Sequence, residues 1–76
     1  NVVITENERG KWDKTPAITD VIDDAKTQMG KNGRILVRES GTEPLIRVMV
    51  EGTDYESVQF WSEKIASVIE EELCVS

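Results

Sequence analysis

Two arginines bracket a short run of hydroxyl and glycine residues near the middle of the chain. Arg38 and Arg47 stand on either side of Ser40-Gly41-Thr42. Arginine makes bidentate, charge-assisted hydrogen bonds to phosphate, hydroxyl groups donate to phosphate oxygens, and glycine lets backbone N–H groups come close. The pattern therefore predicts a site for a small anion, most naturally a phosphate. A tight hairpin turn with solvated arginines explains the same residues with fewer assumptions, so the spacing alone does not decide.

Charge is distributed unevenly along the chain. The 76 residues carry a formal net charge of −6. Between positions 31 and 50 the local net charge is +2, so the remainder of the chain carries −8. A basic island on an acidic protein favours a small anionic ligand, and the overall charge argues against nucleic acid or an anionic membrane as the main partner. The island consists of Lys31, Arg34, Arg38 and Arg47, opposed by Glu39 and Glu43.

Nucleophilic and metal chemistry are disfavoured in this chain. Ser40 precedes a glycine, but the sequence contains no histidine that would activate its hydroxyl. Asp20, Asp23 and Asp24, like the run 70–72 of glutamates, fall on predicted helices, where charged residues are typical of solvated surface. We therefore expect no catalytic residue and no metal site within these residues.

Length and cysteine content limit the size of the domain and the cellular compartment in which it is expected. Residues 1–76 make one small domain with little room for an enclosed active site. The chain opens on Asn1 rather than Met, which suggests a fragment of a larger protein. Because Cys74 is the one cysteine, no internal disulfide forms and a reducing compartment fits best. With no apolar run of membrane-spanning length and no signal-peptide pattern, the expected location is the cytoplasm.

Apolar periodicity predicts the elements that position these residues. Residues 1–4 predict a short strand, and a polar connection follows it. A helix then begins with Thr15 as its cap and Pro16 at its first position, and a second helix begins with the capping box of Thr53 and Glu56. Buried positions in both helices recur at steps of three and four: Ile18, Val21, Ile22, Ala25 and Met29, then Val58, Trp61, Ile65, Val68, Ile69 and Leu73.

Two strands lie between the helices. Residues 35–37 and 45–50 are rich in aliphatic and β-branched side chains, and the loop between them contains Gly41 and Pro44. The order β-α-β-β-α predicts an α+β fold, with two helices packed on one face of a small antiparallel sheet. Trp12, in the connection before the first helix, is expected to pack against this domain or against a neighbouring one.

The simplest hairpin register sets Arg38 opposite Leu45 and Leu36 opposite Arg47. Arg38 and Arg47 then become diagonal neighbours on one face, about 7–8 Å apart at the backbone. Because side chains alternate along a strand, the other face is wholly apolar and must be the core. That face carries Ile35, Val37, Ile46, Val48 and Val50.

Residues 33–52, GRILVRESGTEPLIRVMVEG, resemble the C-terminal signature of the α-D-phosphohexomutases. The phosphate loop of that family reads R-x-S-G-T-E-P, with a further arginine after two intervening residues, and Arg38 to Arg47 matches it. The continuation Val48 to Glu51 is most like the phosphoglucosamine mutase branch. In one departure, Glu39 stands where many members have proline. We expect its side chain to point away from the anion, leaving only its backbone in use.

The resemblance implies a fold and a set of site residues. The fold is the TATA-binding-protein-like fold of that family's C-terminal domain. The residues that match the phosphate-binding positions are Arg38, Ser40, Gly41, Thr42 and Arg47, and those that match the supporting positions of the loop are Glu39, Glu43 and Pro44.

It further implies a four-domain enzyme that interconverts glucosamine 6-phosphate and glucosamine 1-phosphate through a bisphosphate intermediate. The phosphorylated serine and the Mg²⁺ ligands would lie in the other three domains, and this domain would bind no cofactor. Its partners would be the phosphosugar and those three domains. Its task would be to hold the phosphate that is not reacting, in a pathway that leads through an amino sugar to cell-wall precursors.

Three alternatives stay open. The same domain could serve a phosphomannomutase or phosphoglucomutase, since the residues that select the sugar lie mostly outside this chain. A stand-alone anion-binding module and a protein-interaction domain that meets an acidic partner also accommodate the arginines. Titration with phosphosugars separates the enzyme domain from the interaction domain.

Overall fold

The computed structural model describes residues 2–4 and 6–73. In this part of the chain the helices and strands are β1 (Val2–Val3), α1 (Pro16–Met29), β2 (Gly33–Glu39), β3 (Leu45–Gly52) and α2 (Tyr55–Leu73). Short 3-10 turns lie at Glu6–Glu8, Trp12–Lys14 and Gly30–Asn32. The order β-α-β-β-α and the antiparallel sheet confirm the predicted α+β fold. The predictions for Asn1 and Cys74 fall outside the described residues.

The central strand of the sheet is β3. Strand order among the described residues is β1-β3-β2, and both pairings are antiparallel. Val2 pairs with Ile46 and Val3 with Leu45, while the amide of Ile4 donates to the carbonyl of Pro44 at 2.8 Å. Although β1 is short, it therefore fixes the point where the loop between β2 and β3 enters β3.

The predicted hairpin register is wrong by two residues. Arg38 pairs directly with Arg47, and Leu36 pairs with Met49 rather than with Arg47. Pairing continues to Glu39, and the amide of Ser40 donates to the carbonyl of Leu45 at 2.9 Å, so the loop is tighter than predicted. Because side chains alternate with a period of two, a shift of two residues leaves the predicted faces unchanged.

The core lies on one face of the sheet, beneath both helices. Ile46 of β3 is fully buried against apolar residues of α1 and α2, and Trp12 packs half-buried against the same cluster. Trp12 thus belongs in part to this domain's own core. On the opposite face, Leu36 and Met49 are 40% and 50% exposed. The buried cluster consists of Val2, Ile4, Ile18, Val21, Ile22, Ala25, Ile46, Ile65, Ile69 and Leu73.

The predicted start of α1 is confirmed, but the capping hydrogen bonds of both helices differ from the sequence prediction. Thr15 occupies the cap position before α1 and Pro16 the first position, but the Thr15 hydroxyl donates to the Lys11 carbonyl at 2.8 Å instead of capping the helix. At α2 the capping carboxylate is Asp54, which accepts from the Glu56 amide at 3.2 Å and from the Ser57 hydroxyl at 2.7 Å. The predicted Thr53 capping box is therefore wrong, since the Asp54 side chain, one residue later, accepts the bond from the first turn.

A pair of facing glycines lets α1 end close to the sheet. Gly33 and Gly52 are cross-strand partners, and Met29 lies over them. A Cβ on Gly33 would come within 2.5 Å of the Met29 Cβ, and one on Gly52 within 2.8 Å of the Met29 Cε. The glycines therefore set how closely the end of α1 approaches the start of the hairpin.

We predict that Ile46→Ala lowers the free energy of unfolding by about 2–5 kcal/mol, because the substitution leaves a cavity among the residues that both helices cover. Met49→Ala, on the exposed face of the same strand, is the matched control and should cost about 0.5 kcal/mol or less. Urea unfolding followed by circular dichroism measures both. Equal losses for the two variants would contradict burial on one face only.

We predict that Asp54→Ala costs about 0.5–2 kcal/mol of unfolding free energy, because the first turn of α2 loses its acceptor. Thr53→Ala should leave the stability nearly unchanged, since the Thr53 hydroxyl is not the cap. Thermal unfolding of the two variants measures these losses. A larger loss of unfolding free energy for Thr53→Ala than for Asp54→Ala would show that Thr53 caps α2 after all.

Candidate functional site

The two arginines of the motif stand side by side on the exposed face of the hairpin. Arg38 and Arg47 are direct cross-strand partners, a geometry that places Cβ atoms about 4.5–5.5 Å apart. Both side chains are exposed, and among the residues that the structure describes neither guanidinium forms an ion pair. The direct pairing brings the two arginines closer than the predicted diagonal arrangement. It therefore strengthens the prediction of an anion site, because two adjacent guanidinium groups can bind the same anion.

A small depression of about 100 Å³ lies beside these arginines. Leu36, Arg38, Arg47 and Met49 line it, so its wall combines two apolar side chains with two arginines. The residues 40–44 of the loop do not line this depression, although they join the two strands at Glu39 and Leu45. The structure thus brings the arginines together and sets the loop beside them.

A larger hollow of about 330 Å³ lies elsewhere, between α1 and β2. Its polar lining includes the carboxylates of Asp13 and Asp23 and the ammonium of Lys26. Because its acidic side chains outnumber its basic one, this hollow is a poor site for an anion. The arginine face remains the better candidate despite its smaller depression.

The backbone of the loop is held at both ends. The Ser40 amide donates to the Leu45 carbonyl at 2.9 Å, and the Leu45 amide donates back to the Glu43 carbonyl at 2.8 Å. This second bond closes a three-residue turn centred on Pro44, whose ring fixes a φ suited to that turn. The Pro44 carbonyl accepts from Ile4, so Pro44 ties the loop to β1.

Two backbone N–H groups of the loop converge on one oxygen. The amides of Thr42 and Glu43 lie 3.4 Å and 3.3 Å from the Ser40 hydroxyl oxygen. Successive N–H groups aimed at one point form the concave arrangement that binds anions. Both distances exceed the usual 2.7–3.2 Å range for N–H···O bonds. The contacts are therefore weak, and a charged phosphate oxygen would compete well for the donors.

The side chain of Glu39 does more than the sequence suggested. Its Oε1 accepts a hydrogen bond from the Gly10 amide at 2.7 Å, and its Oε2 lies 3.9 Å from the Arg9 Nε. Alternation along β2 places Glu39 on the face opposite Arg38, so it does point away from the arginine pair. The expectation that Glu39 contributes only its backbone is wrong.

Sequence reasoning missed Arg9. The residue lies in a connection read only as polar, yet it donates a hydrogen bond from Nη2 to the Gly41 carbonyl at 3.3 Å. The contact joins residues 32 positions apart, so no local pattern signals it. In the sequence, the one feature that could have drawn attention to this contact is that Arg9 precedes a glycine in a polar connection.

Comparison with known proteins decides the family. The family model for the C-terminal domain of phosphoglucomutase and phosphomannomutase matches residues 1–68. This chain belongs to that family. The predicted resemblance to the phosphohexomutases is confirmed, and the arginines and loop described above lie within the matched region.

Several curated relatives are similar to the chain. It is 47% identical over 77 residues to a phosphoglucosamine mutase of Synechococcus sp. strain CC9605, with all of this chain covered. It is 42% identical over 73 residues, 96% of the chain, to a phosphoglucosamine mutase of Streptococcus gordonii. A relative of the same description from Nitrosomonas eutropha is 53% identical over 53 residues, 70% of the chain. The chain spans 12–17% of the length of these three relatives.

Metal-binding clusters and membrane-spanning helices are both missing from residues 2–4 and 6–73. Within them, no group of three histidine, cysteine, aspartate or glutamate side chains is placed to hold a metal ion. No helix of this region combines the length and apolar character needed to cross a membrane. Asp20, Asp23 and Asp24 are all exposed along α1.

We predict that Arg47→Gln raises the free energy of unfolding by about 0.2–1 kcal/mol at low salt, because like charges directly opposite on two strands repel. The gain should shrink in 1 M salt, where the Debye length is about 3 Å. Urea unfolding at two salt concentrations measures it.

Arg34→Gln is the matched control, since Arg34 on the same face pairs across the strands with Glu51. Removing that arginine removes a favourable cross-strand pair, so the unfolding free energy should fall slightly or stay the same. If both substitutions changed stability in the same direction, charge repulsion between Arg38 and Arg47 would not be the cause.

Proposed function

We propose that this chain is the last domain of a four-domain phosphoglucosamine mutase, where it binds the phosphate that is not reacting. The observation that carries the proposal is the direct pairing of Arg38 with Arg47 beside a loop with two converging N–H groups. Family membership supports the enzyme class, and the relatives described as phosphoglucosamine mutases support the sugar.

Each residue of the motif has a distinct role in this proposal. The guanidinium groups of Arg38 and Arg47 grip phosphate oxygens with charge-assisted hydrogen bonds. Ser40 and Thr42 add hydroxyl donors, and the small Gly41 leaves open space, with nothing within 4 Å of where its Cβ would lie. Glu43 and Pro44 form the turn that returns the chain to β3.

The proposed reaction interconverts glucosamine 6-phosphate and glucosamine 1-phosphate through a bisphosphate intermediate. Holding the distal phosphate orients the reacting end, and the binding energy of this remote group contributes to the chemical step. The arginine face is exposed, so in the enzyme it would close over a substrate bound by the other domains. Closure of that kind excludes water from the phosphoryl transfer.

Mg²⁺ and the phosphorylated serine belong, in this proposal, to other parts of the enzyme. The described residues offer no cluster of three or more side chains that could hold a metal ion. The domain alone is therefore expected to bind phosphosugar without converting it. The wider setting is a cytoplasmic enzyme whose product leads to cell-wall amino sugars.

A second candidate is the same domain in a phosphomannomutase or phosphoglucomutase. The family description names both activities, which favours this alternative over unrelated functions. The phosphate-binding residues would keep their roles, because the phosphate is common to all these substrates. Turnover by the full-length enzyme with glucosamine, glucose and mannose phosphates separates the candidates. A full-length protein that binds these phosphates and converts none of them would favour the anion-binding module.

We predict that Arg47→Ala weakens binding of glucosamine 6-phosphate to this chain by about 10- to 150-fold, the loss expected for charge-assisted hydrogen bonds of about 1.5–3 kcal/mol. In the full-length enzyme, kcat/KM should fall by a similar factor and the bisphosphate should escape more often. Titration followed by NMR and steady-state kinetics measure these effects.

Arg34→Ala is the control, because it removes an equal charge from the same face beyond the arginine pair. It should change affinity far less than Arg47→Ala. Equal losses of affinity in the two variants would mean that only net charge matters. Unchanged binding in a folded Arg47→Ala chain would show that the hairpin has a structural role and does not bind the phosphate.

A further inference from the structure

A segment distant in sequence reaches the phosphate loop from behind. Gly10 and Arg9 both contact Glu39, through a hydrogen bond of 2.7 Å to Oε1 and an ion pair of 3.9 Å to Oε2. Arg9 also donates to the Gly41 carbonyl at 3.3 Å. We call these contacts among Arg9, Gly10, Glu39 and Gly41 the loop brace.

The brace acts on the orientation of one peptide group. Because a peptide is planar and trans, the carbonyl of Gly41 and the amide of Thr42 point in opposite directions. Arg9 holds that carbonyl, so it also holds the Thr42 N–H in the direction of the Ser40 hydroxyl. Gly41 is exposed and has no Cβ, so without a partner this peptide would rotate easily.

Glu39 contacts both Arg9 and the residue that follows it. Its carboxylate accepts the amide of Gly10, which has a φ of 79°, a left-handed conformation that favours glycine. The same carboxylate lies against the Arg9 guanidinium, and the two side chains are only 21% and 30% exposed. A partly exposed ion pair contributes little stability by itself. Its value is therefore geometric, because it sets the guanidinium beside Gly41.

The position of Glu39 also resolves an electrostatic conflict. A carboxylate next to an anion site should repel the ligand. Glu39 projects from the face opposite Arg38 and Arg47, and Arg9 offsets its charge. A negative residue at this point of the loop is therefore compatible with phosphate binding.

We propose that Glu39 and Arg9 are positioning residues that hold the Thr42 amide ready for a phosphate. Neither side chain touches the ligand; both act through the Gly41–Thr42 peptide. The inference rests on the proposed phosphate-binding function and extends it to two residues outside the arginine pair.

The sign of the effect of Glu39→Ala tests the proposal. Electrostatics alone predicts tighter anion binding, because a negative charge is removed near the site. The brace predicts weaker binding of inorganic phosphate, by about three- to tenfold, on the scale of one lost hydrogen bond. Glu39→Gln keeps an acceptor for the Gly10 amide and should fall between the wild-type chain and Glu39→Ala.

Glu8→Ala is the matched control. Glu8 lies in the same segment, forms an ion pair of 3.5 Å with Lys11 and is 30% exposed, and its removal changes the net charge by the same amount. Since that pair lies outside the loop brace, Glu8→Ala should leave phosphate affinity unchanged or raise it slightly.

Amide hydrogen exchange gives a second measurement without ligand. In Glu39→Ala the Gly10 amide loses its acceptor and should exchange about three- to tenfold faster, while the buried Ile65 in α2 keeps its rate. Unchanged exchange, or phosphate affinity equal to or above that of the wild-type chain, would overturn the brace.

The test also separates this inference from the function on which it rests. If the wild-type chain binds phosphate and Arg47→Ala weakens that binding, while Glu39→Ala has no effect, the brace alone is wrong. If the wild-type chain binds no phosphate, the proposed function and the inference are both overturned.

Discussion

Pairing of β2 with β3 places Ile46 and Val48 beneath the helices and Arg38 and Arg47 on the opposite face. Side chains alternate along each strand, so burying the apolar face leaves the arginines exposed. A slip of one residue in either strand would reverse its faces, burying a guanidinium and exposing an isoleucine. The free energy that the core gains by burial therefore also fixes the anion site.

The arginine pair is an arrangement that folding alone would not favour. Two like charges directly opposite each other destabilise a sheet. The chain carries a net charge of −6, yet among the described residues neither Arg38 nor Arg47 is neutralised by a carboxylate. A ligand that binds the folded chain and brings negative charge between the guanidinium groups would relieve the repulsion, so binding and stability are coupled.

The loop between the strands is supported from two directions. Ile4 binds the Pro44 carbonyl on the β1 side, and Arg9 binds the Gly41 carbonyl from the following connection. Both supports come from the first ten residues, while the loop lies near position 40. The amino-terminal segment thus supports the loop of the proposed phosphate site. The conformation of that loop therefore depends on contacts with residues outside the signature sequence.

The sequence by itself determined the element order, the core face of the hairpin and the identity of the motif residues. Periodicity of apolar residues and the Arg38–Arg47 signature carry that information locally, within a helix turn or a strand. The hairpin register and the loop brace were decided only by the tertiary structure. Register depends on how tightly the loop closes. The cap at Asp54 is a local contact with Glu56 and Ser57, and the prediction missed it by choosing the neighbouring Thr53. The contact of Arg9 with Gly41 joins distant residues that only the packing of β1 and the connection after it brings together, and local patterns do not record such contacts.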